Sequence, residues 1–265
     1  MKKLFISADI EGTCGILHWD ETLKDKKDHA YFARQMTLEV AAACEGAHAS
    51  GVQEILVRDA HDSARNLMPD LLPPYTRVLR GWAPDPYCMM TGLDASYDGV
   101  VFTGYHSAAL WDGNPLAHSM DTNWGGILIN GEIASELMLN SYTAAYENVP
   151  VLAVTGDEML CRWMKDFSPG TAVVPVSRGV GAASLSLHPQ EAIRRIRETV
   201  QEAVTYKRED CLVQLPEYFE VSITFKKHGD AYRNSFYPGA RLTAPHTIAF
   251  ETDDYYEVLR LIHFM

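Results

Sequence analysis

The chain has no CxxC pair, and its five cysteines (Cys14, Cys44, Cys88, Cys161, Cys211) are odd in number. A disulfide framework is therefore not expected, and a reducing, cytoplasmic setting suits these thiols. Long hydrophobic runs are missing too: nothing approaches the ~20 apolar residues of a membrane span. The apolar stretch in the opening MKKLFISADIEG is too short for a secretory leader and is interrupted by Asp9. A basic surplus is likewise absent. With 23 Lys and Arg against 35 Asp and Glu, the net charge is -12, which argues against nucleic acid as a partner. The one dense basic cluster (Arg194, Arg195, Arg197) alternates with acids at helical spacing and reads as a solvated helix face. The EGTCG glycines do not form G-x-G-x-x-G, and no Walker-type GKS or GKT occurs, so nucleotide cofactors are disfavoured.

What is present is ample core material. Apolar residues make up 47% of 265 residues, enough for one large domain or two small ones. Short β-branched runs alternate with longer amphipathic ones, which predicts an α/β layered sheet with flanking helices. Strands are expected at Leu4 to Ala8, Ile55 to Val57, Arg77 to Leu79, Val100 to Thr103, Gly125 to Asn130, the VLAVTGD run after Pro150, and Thr171 to Val176. Helical periodicity marks residues 28–50 and 188–207. The tail changes character: Val221, Ile223 and Phe225 alternate as on a half-buried strand, a second strand covers Thr247 to Phe250, and a last helix runs from Tyr255 to His263. Residues 1–204 therefore read as the α/β core and 205–265 as a smaller α+β lobe or an extension of the sheet.

Five potential metal ligands fall where apolar runs end: Asp9 and Glu11 in FISADIEG, His61 in ILVRDAHD, His106 in VVFTGYHS, and Glu136 in INGEIASELMLN. Ligands of open α/β sheets gather beyond the carboxyl ends of the strands, so these points are expected to converge. Each has an ordinary reading alone. Asp9 suits a strand-end cap, Asp59 beside His61 suits an Asx-type surface turn, and a glutamate near a helix start is commonly exposed. Asp59 has a second reading, as a residue orienting His61, and Asn140, one turn beyond Glu136, as its support or a substrate contact. Joint placement favours a metal centre. Mixed carboxylate and imidazole ligands suit zinc, manganese or cobalt alike.

Taken in order, SADIEGTCGI, LVRDAHDSARNL, FTGYHSAA, AHSM and INGEIASELMLNSY resemble the bacterial zinc-dependent D-aminopeptidase family, the DppA-type metallopeptidases. The likeness is strong over roughly the first 160 residues. It implies two zinc ions bridged by Asp9, with Glu11 and His106 completing one ligand set and His61 and Glu136 the other. It also implies a catalytic role for His118, short peptides as substrates, and a homo-oligomer that encloses its sites, a decameric ring of two pentamers. The reaction expected is removal of the N-terminal residue of a short peptide, D-residues included, through a metal-bound water. His118 would transfer a proton or stabilise the tetrahedral intermediate. A two-metal phosphoesterase is the competing enzyme class, though only Arg58 and Arg65 lie close in sequence as phosphate donors. A metal-stabilised binding protein without turnover is the non-enzymatic alternative.

Overall fold

Leu4, Phe5 and Ile6 are fully buried, as a continuous apolar run must be in a parallel strand covered on both faces. The structure is a computed structural model describing residues 1–265. Strand β1 (Lys3–Ala8) leads through helix α1 (His29–Ala49) to β2 (Glu54–Asp59), β3 (Thr76–Leu79) and β4 (Gly99–Tyr105). Then come β5 (Trp124–Ile129), β6 (Glu132–Ile133), α2 (Glu136–Tyr146), β7 (Val151–Asp157), α3 (Glu158–Phe167), β8 (Ala172–Val180), β9 (Ala183–Ser186) and α4 (Pro189–Ala203). The tail adds β10 (Phe219–Phe225), α5 (His228–Asn234), β11 (Arg241–Ala244), β12 (Thr247–Thr252) and α6 (Tyr255–Phe264).

The strands form two sheets. The larger has the order β3-β2-β1-β4-β7-β8-β9 and is parallel except for the β8–β9 hairpin at its edge. From β1 the chain winds outward through β2 and β3, then returns to β4 and winds the other way. The switch point thus lies between β1 and β4. The smaller sheet, β11-β12-β10-β5-β6, is antiparallel. It draws β5 and β6 from the middle of the chain, so the two sheets do not separate at a single point in the sequence. The tail strands join this second sheet rather than the edge of the first.

Two cores flank the large sheet. On one face α1 and α4 pack with Leu4, Ile6, Val57 and Val101, and they cross closely because Gly46 has no Cβ to strike the Arg197 carbonyl. The other face, with Phe5 and Phe102, meets α2 and the apolar side of the small sheet. Val221, Ile223 and Phe225 of β10 point into this core while Glu220 and Thr224 face water. The elements with no sequence expectation, β6, β9, β11 and α5, are short, and β11 is exposed along its whole length. Tertiary pairing makes them, not local pattern.

Candidate metal centre

The ends of β1, β2 and β4 bring Asp9, Glu11, His61 and His106 to the switch point, where ligands of open α/β sheets bind. Backbone bonds lock the two central loops together: Asp9 N–H donates to the Thr103 carbonyl (2.9 Å) and Gly12 N–H to the Gly104 carbonyl (2.8 Å). A side chain at Gly12 would collide with the Tyr105 carbonyl, and one at Gly104, whose φ is +68°, with the Asp9 carbonyl. Only glycines permit this approach. Glu136 arrives from the second layer as the first residue of α2, with Ser135 capping the helix by accepting from Met138 N–H.

The six residues converge. His61 Nδ1 lies 3.2 Å from Asp9 Oδ1 and 3.1 Å from Glu11 Oε2. His106 Nε2 lies 3.5 Å from Asp9 Oδ2 and 3.4 Å from Glu136 Oε2. His118 Nε2 stands 3.5 Å from Glu136 Oε1. Two clusters result, Asp9 with Glu11 and His61, and His106 with His118 and Glu136, and the two oxygens of Asp9 face one each. Nearest contacts therefore group Glu11 with His61 and His106 with Glu136, a division different from the one the resemblance implies. The geometry also admits His118 to the second cluster.

The donor chemistry fits cations. Two ligands of one tetrahedral zinc, each at about 2.0–2.2 Å, stand about 3.3 Å apart, which is the spacing found between these nitrogens and oxygens. Asp9 Oδ2, both carboxylate oxygens of Glu11 and His106 Nε2 are buried without a hydrogen-bond partner, so the close approaches are not aligned as hydrogen bonds. Leaving such groups bare is costly. Each histidine is also oriented by its other nitrogen, which donates to a carbonyl: His61 Nε2 to Thr22 (3.0 Å), His106 Nδ1 to Ser107 (2.9 Å) and His118 Nδ1 to Leu116 (3.0 Å). The free nitrogen then faces the carboxylates, as a ligating imidazole requires.

Charge coupling tells the same story. Burial drives the Asp9 carboxyl well above its usual range, and neighbouring Glu11 adds to the rise. Burial acts upward on Glu11 and Glu136 as well, but His61 outweighs it at Glu11, which falls well below the carboxylate range, and His106 brings Glu136 to about 2. Burial pushes His106 down, yet Glu136 and Asp9 lift it to about 10. His61 is raised well above its ordinary value against the same burial, chiefly by Glu11. Carboxylates packed this densely demand positive charge, and divalent ions would displace the imidazole protons in supplying it.

A cavity of about 560 Å³ opens over the cluster, lined by Trp19, Trp82, Met89, His118 and Met120 among others, within the size range of small-ligand sites. His118 stacks on His106 (4.4 Å between ring centroids) with Trp19 edge-on at 5.3 Å, and its side chain is 15% exposed. His61 lines the cavity as well, but His118 is the more exposed of the cluster's histidines.

Other sequence candidates lie elsewhere. Asp59 is fully buried, not on a surface turn; it accepts from Asn66 N–H, Leu67 N–H and Asn66 Nδ2, and Asn66 Nδ2 also donates to the His61 carbonyl. Asp59 thus shapes the His61 loop through its backbone. Asn140 donates to Tyr105 Oη at 3.0 Å rather than to Glu136. Arg58 donates to the Gly81 carbonyl and lies 4.5 Å from the Trp82 ring centre. Cys14 is a buried free thiol bonded to the Leu187 carbonyl. His188 caps α4, and His48 stacks on Tyr75. The cavity walls, Trp19 and Trp82 above all, carried no signal in sequence, because tryptophans in short turns and loops follow no periodicity.

An open α/β sheet with a buried carboxylate and imidazole cluster at its switch point is the architecture of a metal-dependent hydrolase. Comparison with known proteins narrows this. The chain belongs to the peptidase M55 family, described as D-aminopeptidase, whose model matches residues 1–264; it is a peptide hydrolase. It is 31% identical over 259 residues to a D-aminopeptidase of Bacillus subtilis (strain 168), covering 96% of this chain and 93% of that protein. Its fold matches the structure of the Zn-dependent D-aminopeptidase DppA from Bacillus subtilis, described as a self-compartmentalizing protease, with a TM-score of 0.91, 29% identity, and coverage of 98% and 95% of the two chains. The phosphoesterase and non-catalytic readings give way to the peptidase.

Proposed function

We propose that this protein removes the N-terminal residue from short peptides, those beginning with a D-residue included, using two zinc ions held by Asp9, Glu11, His61, His106 and Glu136. The observation that carries this reading is the set of buried, unpartnered oxygens and nitrogen turned toward one another at the switch point. Asp9 would span both ions, one oxygen to each cluster. Two divalent ions held against the carboxylates of Asp9, Glu11 and Glu136 would leave one surplus positive charge at the site. When bound, such ions activate a water and polarise the scissile carbonyl.

The remaining steps fall to the chain. His118 has Nδ1 occupied by the Leu116 carbonyl, so Nε2 is the atom that accepts or delivers a proton at the cavity floor. Glu136 Oε1, which accepts from Met120 N–H at 2.8 Å, stands 3.5 Å from that same Nε2. Trp19 and Trp82 wall the cavity and exclude water from the reacting bond. No helix is long and apolar enough to cross a membrane, and five unpaired cysteines suit a cytoplasmic setting. We extend the self-compartmentalizing description of the DppA relative to this chain as a homo-oligomer, a decameric ring that admits short peptides. Elemental analysis of purified protein, paired with turnover on D- and L-dipeptides, tests the proposal. Two zinc equivalents with peptide hydrolysis are expected; a metal-free protein with full turnover overturns it.

A further inference from the structure

The cavity over the cluster is acid-rich: Asp9, Glu11, Asp62, Asp121 and Glu136 all line it. Lys226 is the single lysine or arginine among its lining residues. The other nearby cation, Arg58, is committed to Gly81 and Trp82. Lys226 has no such commitment. The chain's arginine and lysine ion pairs fall on Arg162, Arg194, Arg195, Arg197, Arg241 and Arg260, so Lys226 is unpaired despite the acids sharing its cavity.

Its placement is built by the fold. Lys226 follows β10 directly, where the register with β5 shifts between Thr224 and Phe225. Its backbone N–H donates to the Asn123 carbonyl at 2.9 Å, and that of Phe225 to the His246 carbonyl at 2.8 Å. The lysine therefore comes from the small sheet, whereas Asp9, Glu11, His61 and His106 come from the large one. A short peptide has matching polarity: an amine and scissile carbonyl at one end, a free carboxylate at the other. The acidic cluster with its cations takes the first end. Lys226 is the one permanently cationic side chain in the cavity to complement the second.

We infer that Lys226 receives the free C-terminal carboxylate of the substrate and so sets the preference for very short peptides. The inference rests on the aminopeptidase reading. A lysine suits this task better than a bidentate arginine would, since its flexible stem lets one charge meet carboxylates at slightly different depths. Its role is specificity, not bond breaking, because its ammonium makes no ion pair with the cluster carboxylates, whose close partners are His61, His106 and His118.

The test compares a D-alanyl dipeptide, the same dipeptide as its C-terminal amide, and D-alanyl p-nitroanilide, using the zinc-loaded holoenzyme. Lys226 is exposed, so Lys226→Met should fold normally. The variant should raise KM for the free dipeptide by about tenfold or more, the worth of one charge-assisted contact, and leave kcat within about twofold. The amide and the anilide, which carry no carboxylate, should be handled as by the unaltered enzyme. Lys226→Arg should recover most of the dipeptide KM, and Lys226→Glu should exceed the methionine variant. Unchanged dipeptide KM in Lys226→Met, or an equal loss on dipeptide and amide, overturns the assignment. If the unaltered enzyme cleaves none of the three compounds, the aminopeptidase reading itself falls, a result distinct from loss of selectivity in an active enzyme.

Discussion

Asp59 and Asp157 end β2 and β7 much as Asp9 follows β1, and all three are buried. Asp59 accepts three hydrogen bonds from Asn66 and Leu67. Asp157 likewise accepts from Ser107 N–H, Ser107 Oγ and Leu160 N–H. Asp9 takes only the N–H of Ile10, on Oδ1, and Oδ2 has no partner; nor does either oxygen of Glu11. The contrast separates two uses of a buried acid. Where backbone and amide donors fill the oxygens, the carboxylate organises a loop; where they are left bare but face imidazole lone pairs, the site is prepared for a cation.

The comparison breaks first at Asp9. Asp9→Ala should remove the bridge between both clusters, abolish tight binding of two ions, and lower kcat/KM by about 10³-fold or more. Elemental analysis after gel filtration checks this, and retention of two tightly held ions would contradict the bridging role. Next comes His118. Its substitution by alanine should cost about 10²–10⁴-fold in kcat with metal content nearly unchanged; loss of one ion would place it among the ligands instead.

The filled acids predict the reverse pattern. Asp157→Ala strands the donors of Ser107 and Leu160, so denaturant unfolding should show a loss of about 3 kcal/mol while metal stoichiometry is kept. A variant that loses its ions at unchanged stability would erase the distinction drawn between the two kinds of aspartate.

Glu39 of α1 offers the mildest test. It is buried, accepts from Cys14 N–H and Gln35 Nε2 on one oxygen, and has the other unpartnered. Burial raises it from 4.5 to about 7. A carboxyl raised on folding binds protons more tightly in the native state, so stability falls as pH climbs from about 4.5 through about 7. Glu39→Gln should remove its share of that decline, up to about 3 kcal/mol, seen as a shift in the slope of unfolding midpoint against pH across this window relative to the unaltered protein. An unaltered slope would show that Glu39 titrates normally.

Much of this was legible in sequence. The apolar runs of β1, β4 and β7 and the periodicity of α1 and α4 announce themselves, because burial on both faces or on one stripe constrains composition locally. The convergence of Asp9, Glu11, His61 and His106 was also readable, since strand ends of an open sheet meet at its carboxyl edge; Glu136 comes to the same place from the start of α2. The role of Asp59 was not: FISAD, ILVRD and LAVTGD look alike, and the donors that distinguish them sit 7 residues away for Asp59 and 50 for Asp157. The pairing of β5 with β10, across some ninety residues, was equally silent.

By itself, then, the order of residues determined which groups of this protein reach the sheet's carboxyl edge and what chemistry they can support, because side-chain type and strand periodicity are local properties. Tertiary structure alone decided which buried acids are satisfied and which stay open to a cation, and it brought Lys226 to the wall of the same cavity. A hydrogen-bond donor or a compensating charge acts through space, and its distance along the chain has no bearing on whether it arrives.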